Sequence, residues 1–175
     1  MKIAYIANVR MPTDKAHGVQ IMKTCEAFIG LGHQVILVVP RRHNMINEKP
    51  FTYYGMQDTF QITYLPTWDL VHWGAGGFIM QYATFAMMIL FSSTVRNADT
   101  VYGRDEVALW AASLVSRRKV VWESHVGAWN FFARRLARKA HSIVTITQGL
   151  KDFYAAKGLS LSKIMVAPDG VDLKA

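Results

Sequence analysis

The sequence predicts an α/β fold: a doubly wound, Rossmann-like parallel sheet with helices on both faces. Three observations carry that prediction. Strand-like apolar runs alternate with helix-like stretches along the whole chain, which is the pattern of a parallel sheet with right-handed crossovers. The first two runs, Lys2 to Ala7 and Gln34 to Val39, are short, apolar and rich in Ile and Val, as strands covered on both faces should be. Finally, 175 residues that are 51% hydrophobic and 18% charged can bury one self-sufficient core and are not disordered.

Between the first two strands, Gly18 to Leu31 places Val19, Met22, Ala27 and Phe28 near helical spacing, and Gly30-Leu31-Gly32 is a C-terminal cap signal. The opening is therefore βαβ. From Arg41 to Phe60 the pattern is irregular and reads as a mobile loop opened by Arg41, Arg42 and His43. Gln61 to Leu65 alternates and reads as a strand, followed by a long helix within Gly74 to Ser93. Then come a strand (Asp99 to Gly103), a helix (Glu106 to Ser116), a strand (Lys119 to Glu123) and a helix (Trp129 to Lys139). Ser142 to Thr147 reads as extended, Gly149 to Lys157 as helical and Lys163 to Ala167 as extended. There is no internal repeat. Residues 1–167 are read as one domain, and Pro168 to Ala175 as a turn leading toward more structure, so that the chain is expected to be part of a longer protein.

Composition narrows the partners. A formal charge of +8 attracts anions: nucleic acid, acidic lipid head groups or phosphorylated small molecules. The one cysteine, Cys25, sits on an expected amphipathic helix, where it reads as a small core residue. Without a second cysteine no internal disulfide forms, which fits a cytoplasmic location. The start at Met1 runs straight into the first strand, with no charged leader and apolar segment of a secretion signal. Gly74 to Ser93 is uncharged, but Gln81 and early glycines interrupt it, so it reads as a buried helix and not as a membrane crossing of about 20 apolar residues.

Sheets of this kind bind ligands beyond the carboxyl ends of their strands. That rule selects Asn8 to Gln20, Thr67 to Gly77, Arg104-Asp105 and Ser124 to Trp129. His17-Gly18-Val19 open a helix after the first strand, where free N–H groups and the positive helix end favour phosphate. The alternative is an ordinary turn in which Gly18 relieves strain; no G-x-G-x-x-G fingerprint is present. Arg104 can meet a phosphate or carboxylate, or pair with Asp105, which can instead cap the next helix. Glu123 and His125 stand at a strand end, and an imidazole there can bind sugar hydroxyls or move protons near neutral pH. No G-x-S-x-G elbow supports acyl hydrolysis. The scattered histidines show no ligand spacing, so no metal site is expected. Arg134-Arg135-Leu136-Ala137-Arg138-Lys139, next to Trp129, Phe131 and Phe132, suits either a solvated helix face with an aromatic core side or contact with an anionic membrane or RNA.

These pieces together resemble the N-terminal domain of the retaining GT-B-fold glycosyltransferases of family 4. The resemblance rests on Met1 to Ile6, His17-Gly18-Val19-Gln20, Gly30 to Val35, Asp99 to Tyr102 with Arg104, Trp122-Glu123-Ser124-His125, and Val166 to Asp172, in that order. It implies that His17, Gly18 and Val19 lie against the donor diphosphate and that His125 approaches the transferred sugar as the catalytic residue. It implies also that Arg104, Asp105 and Glu123 line the acceptor side, and that Pro168, Asp169 and Gly170 form the hinge to a second domain, which holds the donor. The implied activity is that of a hexosyltransferase moving sugar from a nucleotide-sugar donor, as co-substrate, to a glycan, lipid or small-molecule acceptor, with retention and without cofactor or metal. Cell-surface polysaccharide synthesis, with peripheral contact at the inner membrane face, is the implied setting, and this half alone is expected to be inactive. Two departures stand out: many members have a double glycine where this chain has His17-Gly18, and many have Asn at the place of Asp169. The competing reading is a stand-alone α/β module that binds a nucleotide or acidic ligand without catalysis. A specific nucleic-acid binder is not expected, because no reading motif occurs.

Overall fold

The structure, a computed structural model, describes residues 1–170. Residues 171–175, including Val171 and Asp172 of the closing motif, lie outside the described part. Seven strands form one parallel sheet in the order β3-β2-β1-β4-β5-β6-β7, with β1 Lys2–Ile6, β2 Gln34–Arg41, β3 Gln61–Pro66, β4 Thr100–Gly103, β5 Lys119–Ser124, β6 Ser142–Thr145 and β7 Ile164–Val166. The helices are α1 Ala16–Gly30, α2 Pro50–Tyr53, α3 Ala75–Phe91, α4 Ser93–Arg96, α5 Glu106–Val115, α6 Phe131–Lys139 and α7 Gln148–Ala156. The doubly wound fold is as expected.

The pleat sorts the core into two halves. Ile3 and Tyr5 of β1, with Ala7 just after it, belong to one face and pack with Ile21, Met22 and Cys25 of α1. Ala4 and Ile6 point to the other and pack with Phe85 of α3, Leu109 of α5 and Leu136 of α6. Cys25 is fully buried, the small core residue foreseen. α1 buries Gly18, Ile21, Met22 and Cys25, one stripe at helical spacing. It ends where the Gly32 N–H bonds the Ile29 carbonyl and the His33 N–H bonds the Phe28 carbonyl. Gly32 takes φ +80 there, the left-handed conformation glycine adopts without a Cβ clash.

The segment expected to be a loose loop is tied down instead. α2 lies within it, the Asn44 side-chain amide donates to the Pro12 carbonyl at 2.7 Å, and the Tyr54 hydroxyl both accepts from the Thr13 N–H (2.8 Å) and donates to the Thr13 carbonyl (2.9 Å). Phe51 packs edge-on to Phe60 at 4.8 Å. A helix of one turn has no period to read, and its anchors are distant in sequence. Among the described residues, no helix is long and apolar enough to cross a membrane. The long uncharged helix is α3, but only one side of it is buried, through Gly77, Gln81, Thr84, Phe85 and Ile89.

The sheet order reverses between β1 and β4, which puts the switch point beside the end of β4. There Ile6 pairs with Gly103. A Cβ on Gly103 would run into the Ile6 carbonyl oxygen, so the close β1–β4 spacing requires glycine. Gly103→Ala should therefore destabilise the domain by about 2 kcal/mol or more, read as a lowered midpoint in urea unfolding; an unchanged midpoint would show that the two strands can part freely.

A closed ring of side chains at the sheet switch point

β4 and β5 run in parallel register with Gly103 opposite Trp122, so the next residues, Arg104 and Glu123, emerge side by side at the carboxyl edge. The Trp122 indole N–H donates to the Arg104 carbonyl at 3.2 Å and fixes that backbone. Glu123 is a buried carboxylate with a side chain 8% exposed. Its Oε2 accepts the Tyr102 hydroxyl at 2.7 Å, its Oε1 meets His125 Nε2 at 2.5 Å, and Arg104 Nη2 stands 3.0 Å from the same Oε1. The Arg104 contact is a charge pairing and not a directed hydrogen bond: both Nε and Nη2 of Arg104 lack an aligned acceptor. Its aligned bond runs from Nη1 to Gln20 Oε1 at 2.8 Å.

Gln20 belongs to α1, and its amide donates in turn to Asp169. Asp169 Oδ2 lies 3.8 Å from His125 Nδ1. Glu123, Arg104, Gln20, Asp169 and His125 thus close a ring that joins α1, the ends of β4 and β5, and the segment after β7. Burial alone would push the Glu123 carboxyl up, but the His125 hydrogen bond, the Arg104 charge and the Tyr102 hydroxyl together hold it below the usual range. An ionised Glu123 can only accept, so Nε2 carries the proton of the neutral imidazole and Nδ1 keeps its lone pair. At 3.8 Å, Asp169 is too far to hold Nδ1 in a hydrogen bond. Nδ1 is the ring position left for a ligand hydroxyl.

The other expected site residues fall into different roles. Asp105 does not pair with Arg104; it caps α5, accepting the Ala108 N–H at 2.7 Å. Burial raises its pKa, opposed by that bond and one from Tyr82. Gly18 is buried, and a Cβ there would strike the Tyr54 hydroxyl and come 2.5 Å from Thr13 Cγ2. Its N–H bonds the Lys15 carbonyl at 2.9 Å, so packing within the chain explains this glycine. His17 and Val19 are exposed at the start of α1, which has no side-chain cap. Burial, then the Arg104 and Lys15 charges, lower the His17 pKa. Pro168, Asp169 and Gly170 are exposed, and Asp169 reaches the ring.

Gln20, Tyr102 and the ring role of Asp169 were not singled out from the sequence. Gln20 closes the His17-Gly18-Val19-Gln20 motif, and Tyr102 lies within the fourth strand. Their common signal is position: each lies within about a turn or a strand step of the carboxyl edge. The scattered histidines predict no metal site, and Glu123 was expected beside His125, whereas the approach of Asp169, which brings one ligand atom of each of the three within 4.8 Å of one another, comes from the fold. Two hollows lie away from the ring: one of about 220 Å³ on α6, lined by Phe131, Arg134, Arg135 and Arg138, and one of about 350 Å³ near His33 and Phe60 at the opposite sheet edge.

Two outcomes follow. Glu123→Gln removes the partner of a largely buried guanidinium and should cost about 2 kcal/mol at neutral pH. Because the folded carboxyl titrates below its unfolded value, that advantage is complete above the ordinary glutamate pKa of about 4.3 and fades as pH falls through the lower folded value. Thermal unfolding of both proteins across acidic pH should show the gap closing at the acid end; a gap that widens there would contradict the ionised ring. Gly18→Ala should lower the melting temperature, and Tyr54→Ala should cost less in that background than alone, since the clash and the tyrosine share one space.

The family model for Glycosyltransferase Family 4 matches residues 17–175. No curated protein matches the sequence. Among solved structures, HepE of Anabaena in complex with UDP and glucose superposes with a TM-score of 0.65 at 16% identity, over 99% of this chain and 46% of that one. The lipopolysaccharide outer core galactosyltransferase WaaB in its apo form gives 0.66 at 14% identity, over 100% of this chain and 47% of that one. UDP-GlcNAc 2-epimerase from Methanocaldococcus jannaschii gives 0.64 at 16% identity, over 95% and 45%. At such identities the likeness is one of fold, and the chain spans just under half the length of each. With the family model covering all but the first sixteen residues, this chain belongs to Glycosyltransferase Family 4 and has the fold of the N-terminal, Rossmann-like half of a GT-B glycosyltransferase.

Proposed function

We propose that the complete protein transfers a hexose from a nucleotide-sugar donor to a glycan, lipid or small-molecule acceptor, with retention of configuration. In this reading residues 1–167 form the acceptor-side domain, Pro168, Asp169 and Gly170 the hinge, and a second domain holds the donor. The observation that carries it is the placement of His125 at the switch point: Glu123 holds its Nε2, and Nδ1, 3.8 Å from Asp169, is left as an acceptor. A lone pair so fixed can take the proton of a sugar hydroxyl and orient the ring for attack. HepE, which shares the fold, was solved with UDP-glucose.

His125 is then the catalytic residue that touches the transferred sugar. Glu123 is a positioning residue acting through His125, and Arg104 sits beside it on the acceptor side, its Nη2 paired with the Glu123 carboxylate. Asp105 supports that side by fixing the start of α5. The first turn of α1, with His17, Gly18 and Val19, has no side-chain cap and would turn the positive end of the helix to the donor diphosphate, while Gly18, its N–H held by the Lys15 carbonyl, serves to make room for Tyr54. Departure of the diphosphate needs fixed positive charge, which the second domain would complete, so this half alone would not turn over. A metal ion is not required in this scheme: Arg104 already places positive charge 3.0 Å from the carboxylate that a cation would need.

The test uses the full-length enzyme. His125→Ala should lower kcat by about 100-fold or more while leaving nucleotide-sugar binding, measured by calorimetry, within a few-fold. Proton NMR of the first product formed should show the donor's anomeric configuration retained. Undiminished kcat in His125→Ala would remove the assigned role, and an inverted product would remove the retaining mechanism. Binding of nucleotide without any transfer, across acceptors, would instead favour a non-catalytic module.

A further inference from the structure

The loop between β3 and α3, residues 67–74, belongs to the carboxyl edge of the sheet, yet none of its side chains enters the ring. It carries two large aromatic side chains in the open: Trp68 is 60% exposed and Trp73 is 69% exposed. Two indoles left in water on one short loop mark a binding surface. The loop is firmly held. Arg42 Nε donates to Asp69 Oδ1 at 3.1 Å, both side chains being largely buried, and Asp69 Oδ2 accepts the His43 N–H at 2.9 Å. The Thr67 hydroxyl donates to the Arg41 carbonyl at 3.0 Å, and the Trp68 N–H donates to the Thr84 hydroxyl at 3.2 Å. A Cβ on Gly77 would fall on the Leu70 carbonyl oxygen and lie 3.2 Å from Trp73 Cβ, so the loop rests directly on the first turns of α3. A ligand meeting these indoles has little backbone left to order.

Gly77, Gln81 and Thr84 lie on the buried stripe of α3. Trp73 packs at Gly77 and Trp68 bonds at Thr84, so the two tryptophans flank Gln81 by about one helical turn on either side. Gln81 is fully buried, and its Nε2 donates to Oδ1 of Asn8, just past the end of β1, at 2.9 Å. Among the described residues, neither Gln81 Oε1 nor Asn8 Nδ2 has an aligned partner, which costs free energy in a buried amide. One acceptor and one donor on two bonded amides are the complement of a hydroxyl, which donates and accepts at once. Charge is balanced here as well. Asp69 is the one acid between residues 67 and 77, with no Lys or Arg beside it in that segment, and Arg42 neutralises it.

We propose that Trp68 and Trp73, with the Gln81 and Asn8 amides between them, form a subsite for the acceptor, and that this acceptor is a neutral oligosaccharide. The inference rests on the sugar-transfer reading, of which it names the acceptor. Indole faces cover the C–H faces of sugar rings, while a few convergent amides bond the hydroxyls and set the orientation. The sheet sets the length. Neighbouring strands lie about 4.8 Å apart, so the end of β1, two strands from β5, stands about 10 Å from the end that leads to His125. One sugar ring does not span that gap. The terminal sugar therefore meets His125, and the sugars behind it lie on the tryptophans. A lipid phosphate would need an unpaired cation in this loop, and an aliphatic chain would leave the amide pair unanswered.

The test exposes the full-length protein, without donor, to a printed array of monosaccharides, neutral oligosaccharides and acidic oligosaccharides. Neutral oligosaccharides should be captured, monosaccharides should not, and added salt should leave capture unchanged, since no ion pair is involved. With the captured oligosaccharide as acceptor, Trp68→Ala and Trp73→Ala should each raise its KM and its Kd at least about tenfold, with kcat within a few-fold. Trp73→Phe, which keeps an aromatic ring, should recover most of the loss. Both indoles are exposed, and unchanged melting temperatures would show that the fold is intact. Failure to capture any oligosaccharide, equal capture of monosaccharides, capture that salt abolishes, or an unchanged Kd in both Ala variants would overturn the proposal. Capture without transfer to any acceptor would uphold the oligosaccharide subsite and remove the sugar-transfer reading. Transfer to a lipid or a monosaccharide with no capture would do the reverse.

Discussion

Glu123 is a carboxylate inside a protein, and the site is arranged around keeping it charged. A lone buried carboxylate would take up a proton to escape the loss of hydration. Here a guanidinium, an imidazole and a phenol share its two oxygens, and the carboxyl stays ionised. In return the charge fixes the tautomer and orientation of His125 and pulls Arg104 against the edge of β5. Through Arg104 and Gln20 the same constraint reaches α1 and Asp169. Elements far apart in the chain are thus aligned by one negative charge.

The sheet makes this possible. Reversal of the strand order between β1 and β4 opens the space at their carboxyl ends, Gly103 lets those two strands lie close, and the parallel register of β4 with β5 brings Arg104 beside Glu123. Tyr102 and Glu123, two steps apart in register, share one face and so can bond. Below the ring Tyr5 is fully buried, and burial, followed by the Glu123 charge, raises its pKa. The base of the site is therefore held by packing, and its rim by charge.

The fold itself does not choose a reaction. Glycosyltransferases and a UDP-GlcNAc 2-epimerase superpose on this chain almost equally well; the family assignment separates them, and the ring gives the sugar-transfer reading its chemistry. The two faces of the sheet are covered differently: α1 packs on Ile3 and Tyr5 on one side, and α3, α5 and α6 pack on Ala4 and Ile6 on the other.

The sequence by itself determined the alternation of strands and helices, hence the parallel sheet, the two covered faces and the carboxyl edge as the place of the site. These follow from local periods and from chain connectivity, both of which are written in nearest-neighbour order. It placed Arg104, Glu123 and His125 at that edge, because strand ends can be read from apolar runs. It did not determine who pairs with whom. Arg104 and Asp105 are neighbours in sequence, yet Asp105 turns to cap α5 and Arg104 pairs across the sheet with Glu123. Gly18 was legible as a special position, but only the arrival of Tyr54 from a distant segment shows what its missing side chain makes room for. Register, burial and long-range contacts decide such partnerships, since a side chain's charge state and bonds depend on atoms that only tertiary packing brings within 3 Å.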